Sequence, residues 1–232
     1  MKKVAFITLS RKWILIGLAC ILVLPLLIGV FSVRQTISSP KTEYCIAIDA
    51  GHGGVDGGAV GKKTGITENE LNLKYAQKFK DLCEDFGIEV VMTRSDLNGL
   101  YDESAENKKR SEMEKRREII NSSGADLMIS FHMNSFPLPS CKGAHVFYKI
   151  GSDQSQRLAS SVQESVCQNF AYARKFVTGG DYYVLNTSQM PAILIECGFL
   201  TNEEDEKNLL SEDYCQELCY HILAGVLSYF KM

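Results

Sequence analysis

The 232-residue sequence has four histidines, no CxxC pair and no excess of positive charge. Each shortage closes off a class. Although there are eight cysteines, the missing CxxC pair removes the ground for a zinc ribbon or a thioredoxin-type redox site. The formal net charge is −3, and it is unevenly spread. Residues 1–34 hold five cations (Lys2, Lys3, Arg11, Lys12, Arg34) and no acids, which leaves 20 cations against 28 acids in the rest. Such a body lacks the basic patch or stripe that nucleic acid calls for. The glycine-rich stretch Gly51–Gly61 lacks the GxxxxGK[ST] pattern, and its glycines bracket His52 rather than open a helix, so it does not read as a phosphate loop. No internal repeat is visible. With 45% hydrophobic and 23% charged residues, what remains is an ordinary globular body.

One long uncharged run stands apart from that body. Trp13–Val33 contains no charged residue over 21 positions. At about 1.5 Å per residue it matches the roughly 30 Å hydrocarbon core of a bilayer. Lys2, Lys3, Arg11 and Lys12 precede it, so the positive-inside rule puts residues 1–12 in the cytoplasm and the remainder outside. The run is long for a signal-peptide core, and no small-x-small cleavage site follows at once, which favours an uncleaved anchor over a secreted product. The expected organisation is a cytoplasmic stub and membrane anchor over 1–34, a polar linker over 35–43 and one folded domain over 44–232. Seven cysteines fall outside the anchor, and Cys45, Cys83 and Cys197 sit in apolar runs where a free thiol acts as a small buried hydrophobe.

Past the linker, strand-like and helix-like segments alternate. Cys45–Ala50, Glu89–Thr93, Leu127–His132, His145–Lys149 and Ala192–Cys197 read as short buried strands. Leu71, Tyr75, Phe79, Leu82 and Phe86 recur at three and four, which predicts an amphipathic helix from Glu68 that Gly87 stops. Further helices are expected over Met113–Ser123, Ser155–Phe170 and Tyr214–Phe230, with Asp96–Glu112 as a charged surface excursion. This order predicts an α/β sandwich with a mostly parallel, buried sheet.

Three of these strands end in residues that carry chemistry. The first runs out as Asp49-Ala-Gly-His52-Gly-Gly, the third as Ser130-Phe-His132-Met-Asn134-Ser135, a later one as Glu196-Cys-Gly198-Phe-Leu-Thr-Asn202. In open α/β sheets, sites gather beyond the carboxyl ends of the strands. Two imidazoles and one carboxylate form a usual catalytic zinc shell with an open fourth position. Glu68 and Glu70 both qualify as the carboxylate, and Glu68 could equally serve the positive end of its helix. Glu196 follows a buried apolar run, where a carboxylate needs a partner: an arginine on the ordinary reading, a metal site beside which it acts as general base on the functional one. His145 opens a strand and His221 lies mid-helix, and both read as ordinary hydrogen-bonded histidines.

Taken together, these blocks resemble the zinc N-acetylmuramoyl-L-alanine amidases of the amidase_3 type over residues 44–232. The resemblance implies a three-layer α/β sandwich, with a twisted, mostly parallel sheet flanked by helices, and a zinc ion on His52, Glu68 and His132, with Glu196 as catalytic base. It selects Glu68 over Glu70 because Leu73 then falls where the family helix has its apolar residue, and it places Arg116 on the helix before the second histidine strand. Asn134 and Arg94 are candidate substrate-binding residues. The implied substrate is peptidoglycan, cut between the lactyl group of muramic acid and L-alanine. Met92-Thr93-Arg94, Ile120-Asn-Ser-Ser-Gly-Ala-Asp126 and Gly180-Asp-Tyr-Tyr-Val-Leu185 are similar to the germination-specific, CwlD type of spore formers, which acts before muramic-δ-lactam formation in the cortex. Phe131, Met133 and Ile120 depart from many relatives and bear on fine substrate preference. No wall-binding module follows the domain, which favours this type over a vegetative autolysin; another zinc wall hydrolase, such as a carboxypeptidase or deacetylase, is the remaining alternative. An activating protein partner is a further expectation.

Overall fold

The computed structural model describes Lys12 and residues 42–231. The predicted anchor and most of the 35–43 linker lie outside the described residues. Among the described residues, no helix is long and apolar enough to cross a membrane. The chain runs β1 (Cys45–Ala50), α1 (Glu68–Asp85), β2 (Glu89–Met92), α2 (Lys108–Ser122), β3 (Leu127–Asn134), β4 (His145–Lys149), α3 (Asp153–Asn169), β5 (Thr178–Gly180), α4 (Tyr183–Thr187), β6 (Ala192–Phe199), α5 (Glu203–Leu210) and α6 (Glu212–Phe230).

The strands form a six-stranded sheet in the order β2-β1-β3-β6-β4-β5. Strands β2, β1, β3 and β6 are parallel; β4 pairs antiparallel with β6, and β5 follows β4 in parallel. Alternation along the strands sorts side chains onto two faces. Ile46, Ile48 and Ala50 of β1, Leu127, Ile129, Phe131 and Met133 of β3, and Ile193, Ile195 and Cys197 of β6 share one large core with α1, α3 and α6. Ala47, Met128, Ala192 and Leu194 share a smaller one with Ile120 of α2 and with Val184 and Leu185 of α4. Helices therefore cover both faces, as the alternating element order predicts.

Some elements differ from the sequence reading. Helix α2 begins at Lys108, five residues before the expected start, because the Asn107 side chain caps it by accepting from Arg110 N at 2.9 Å. Its buried stripe is Glu112, Arg116 and Ile120 at i, i+4, i+8, so two of three inward positions are charged and apolar periodicity cannot find the first turns. Strands β3 and β6 continue two residues past the expected ends, to Asn134 and Phe199. Strand β5 and helix α4 carry no pattern long enough to predict, and helix α5, Glu203–Leu210, is not among the expected helices.

Candidate metal centre

The smaller core does not reach the carboxyl ends of β1, β3 and β6. There the same alternation puts Asp49, Ser130, His132 and Glu196 on the face that α2 and α4 cover. Asp49 pairs in register with Ser130, and His132 with Glu196. A cleft of about 420 Å³ opens over them, lined also by His52, Asp56, Glu68, Met113, Asn134 and Tyr182.

His52 follows β1, Glu68 opens α1 and His132 lies in β3. Ligand atoms from these three residues all lie within 4.8 Å of one another. His52 Nε2 is 3.2 Å from Glu68 Oε1, and His132 Nδ1 is 2.9 Å from the same oxygen. Glu68 Oε2 accepts from Ala59 N at 2.8 Å, and Oε1 accepts from Met133 N at 3.2 Å. Burial opposes charge on Glu68, but its contacts with the two imidazoles outweigh that and hold the carboxyl well below the usual range. Burial alone would lower His52 as well; Glu68 and Asp56 lift it to about 8. Glu68 thus stays ionised between two imidazoles, a set of donors whose protons a cation could replace. Two imidazoles and a carboxylate suit a zinc ion, and nothing in the chemistry of the donor set opposes one. Glu70, the other acid near His52, instead accepts from Thr67 Oγ1 at 2.6 Å on the surface side of the helix start.

The backbone is shaped around these side chains. A Cβ on Gly51 would stand 2.2 Å from His132 Nε2, so the imidazole can lie over that position only because it is glycine. His52 itself has φ 60°, a left-handed conformation uncommon outside glycine and found at functional sites held by their surroundings. Arg116 supplies part of that hold: its guanidinium donates to His52 O, to Ala50 O at 2.7 Å and to Asp49 Oδ1 at 2.6 Å, and pairs with Glu112. Asp49 also accepts from Ser130 Oγ at 2.6 Å and Thr93 Oγ1 at 2.8 Å.

Glu196 is 8% exposed, and its Oε2 has no hydrogen-bond partner among the described residues. Among the described residues, no arginine pairs with it. Burial pushes its carboxyl up to about 7, a value that the opposing influences of His132, Glu68 and His52 modify.

The remaining predicted residues separate. Asn134 ends β3 and lines the cleft. Arg94 does not line it. It is 4% exposed, and its guanidinium donates to Ala50 O at 2.9 Å, Gly51 O at 3.0 Å, Asn69 O at 2.8 Å and Asp96 O at 2.7 Å. The substrate-binding expectation for Arg94 is thereby corrected: its donors are spent bracing the backbone before His52. His145 meets Thr178 Oγ1 at 3.1 Å, and His221 meets the Asn169 side chain, both away from the cluster. Sequence reading missed Asp56, whose carboxylate lies 3.0 Å from His52 Nδ1, and the Asp49–Arg116 pair. An aspartate inside the buried run CIAIDA was the available signal for the latter.

Comparisons with known proteins identify the family. A profile of the N-acetylmuramoyl-L-alanine amidase family matches residues 46–228. The germination-specific N-acetylmuramoyl-L-alanine amidase of Bacillus subtilis is 32% identical over 197 residues, 83% of this chain and 82% of that protein. An uncharacterized protein of the same organism, YqiI, is 35% identical over 192 residues, 82% of this chain and 85% of its own length. Among solved structures, the CwlD amidase from Clostridioides difficile, in complex with the GerS lipoprotein, superposes with a TM-score of 0.78 at 33% identity, covering 82% of this chain and 99% of that one. The chain belongs to the Amidase_3 family of N-acetylmuramoyl-L-alanine amidases.

Proposed function

We propose that the protein hydrolyses the amide between the lactyl group of muramic acid and L-alanine in peptidoglycan, with one zinc ion held by His52, Glu68 and His132. When bound, zinc supplies Lewis acidity to the scissile carbonyl and makes water acidic enough to attack near neutral pH. The rest of the work falls to the chain. Glu196 takes a proton from the attacking water and returns it to the leaving alanine nitrogen. A general base works best with a pKa near the operating pH, and burial puts the Glu196 carboxyl at about 7. The observation that carries this reading is the Glu196 oxygen, buried without a partner among the described residues in the cleft that holds the His-Glu-His cluster. Asn134 lines the same cleft and meets substrate on this reading, with Tyr182 and Met113 adding apolar surface to the cleft.

The spore-cortex role rests on likeness to the germination-specific amidase and to CwlD. The CwlD structure contains a lipoprotein partner, and a protein partner for this chain belongs to the same proposal. The location is proposed from sequence alone: the uncharged run 13–33 anchors the protein, and the cations before it leave the catalytic domain outside the cytoplasm.

The test is cleavage of purified wall by the full-length, zinc-loaded protein, read by mass spectrometry beside Glu196→Gln. An amidase leaves free lactyl groups on muramic acid and releases intact stem peptides; a carboxypeptidase or deacetylase leaves that bond whole. Glu196→Gln should retain zinc and lose about 10²–10⁴-fold in rate. Turnover close to the parent's would remove Glu196 from the mechanism.

A further inference from the structure

The loop after His52 folds back on the residue that starts it. Gly53 N donates to Asp56 O at 2.9 Å, and Asp56 N donates to Gly53 O at 3.0 Å. This short hairpin brings the Asp56 carboxylate to the outer side of the imidazole, with Oδ1 3.0 Å from His52 Nδ1. The inner nitrogen, Nε2, faces Glu68 Oε1 at 3.2 Å. Asp56 is itself held from two directions. Its Oδ1 accepts from Gly58 N at 3.2 Å, and its Oδ2 lies 3.7 Å from Lys109 Nζ on α2, across the cleft. One residue beyond Gly58, Ala59 N holds the outer oxygen of Glu68. The same loop therefore grips two of the three clustered side chains on the sides that face away from the cluster.

An ionised carboxylate can only accept hydrogen bonds. Facing Asp56, Nδ1 keeps its proton, and Nε2 is the nitrogen aimed into the cluster at Glu68 Oε1, where a bound cation would take the proton's place and meet the Nε2 lone pair. A neutral imidazole binds a metal through its unprotonated nitrogen, and the bond at the other nitrogen decides which that is. His52 also needs external support for its left-handed backbone. We infer that Asp56 is a positioning residue: it fixes the Nδ1–H form of His52, turns Nε2 inward as the metal-binding nitrogen, and is steadied by Lys109 of α2. The inference rests on the zinc reading proposed above and extends it to a residue outside the ligand set.

The experiment uses the full-length protein, stripped of metal and titrated with zinc against a competing chelator. Asp56→Ala should weaken zinc binding about 10–100-fold, the usual range for removing such an outer partner. Asp56→Asn keeps an oxygen acceptor and should recover most of that loss. Circular dichroism and thermal melting of the metal-free variants show whether they fold. A second readout is independent of affinity: proton–nitrogen NMR of zinc-loaded parent protein should show His52 protonated at Nδ1, bound through Nε2. If Nδ1 proves to be the coordinating nitrogen, or if folded Asp56→Ala binds zinc as tightly as the parent, the inference fails. A parent that takes up no zinc would overturn the metal reading itself, and this inference with it.

Discussion

Replacing Arg116 by methionine keeps an unbranched apolar stem and removes the guanidinium with its charge. Arg116 is 2% exposed, and its guanidinium serves two buried carboxylates, Asp49 and Glu112, and two carbonyls, those of Ala50 and His52. Breaking a buried pair from one side costs about 3–5 kcal/mol, because the other charge stays behind. For a domain of this size each kcal/mol lowers Tm by about 2–4 °C, so Arg116→Met should melt about 12 °C below the parent at pH 7. The effect should depend on pH in a definite sense. In the parent, burial pushes Asp49 up, but Arg116 and the hydroxyls of Ser130 and Thr93 prevail and hold it at about 2. That is below the unfolded value of about 3.9, so Asp49 contributes stability on the order of 2 kcal/mol above pH 4, lost as pH falls toward 2. Without Arg116 burial prevails. Asp49 then titrates above its unfolded value, destabilises the fold at neutral pH, and is relieved by protonation as pH drops. The Tm gap between parent and variant should therefore narrow on acidification from pH 7 to pH 4. Calorimetry on metal-free protein reads this directly, since no metal–histidine equilibrium then enters. A drop of less than about 3 °C at pH 7, or a gap that widens in acid, would refute the account of Arg116 as the counter-charge of this face.

Two further substitutions separate the site from the scaffold. In Gly51→Ala the new methyl would stand 2.2 Å from His132 Nε2, so the imidazole must leave its place; zinc affinity measured by chelator competition should fall at least about tenfold, the scale seen when ligand orientation is lost. An unaltered affinity would mean that His132 is not held where the cluster needs it. Gly225 lies in α6, where a Cβ would meet Val162 Cα of α3 at 2.5 Å. Gly225→Ala should cost about 1–3 kcal/mol by overpacking the contact between these helices and leave zinc affinity unchanged; a melting curve and the same competition assay check both halves.

Strand-end chemistry was legible in the sequence because two periodicities coincide there. Apolar runs mark β1, β3 and β6, and within each a polar residue sits where alternation sends it away from the large core: Asp49, Ser130 with His132, and Glu196. The antiparallel turn of the sheet at β4 left no such mark, since His145–Lys149 reads the same in either direction. Helix α2 was half legible. Its Ile120 end follows apolar spacing, whereas its first inward residues, Glu112 and Arg116, look like solvent-facing charge until Asp49 is known to lie opposite. Helix α5 did carry a signal, Asn202 followed by four acids; the Asn202 side chain accepts from Glu204 N at 3.1 Å and Asp205 N at 3.0 Å. Arg94 was misread for a reason of the same kind as α2: an arginine at a strand end resembles a substrate clamp, and only its four backbone carbonyl partners show that it is spent on structure.

His145 shows why residue type and register together still do not make a site. Glu196 pairs in register with His132 on one side and with His145 on the other, so all three stand in one row across the sheet. The two histidines nevertheless meet different surroundings. The His132 imidazole faces Glu68, beside His52, three donors with complementary charge within reach of a single cation. The His145 ring packs on Phe147 and Phe176 and bonds Thr178, and burial, with Arg174 nearby, lowers it to about 4. Among the described residues, the His145 ring belongs to no group of metal-ligating side chains gathered closely enough to share a cation. What distinguishes the pair is the loop 51–68, which brings His52 and Glu68 to one side of the row and has no counterpart at β4. The chemistry of this face is therefore set as much by the glycine-rich excursion between β1 and α1 as by the strands that carry His132 and Glu196.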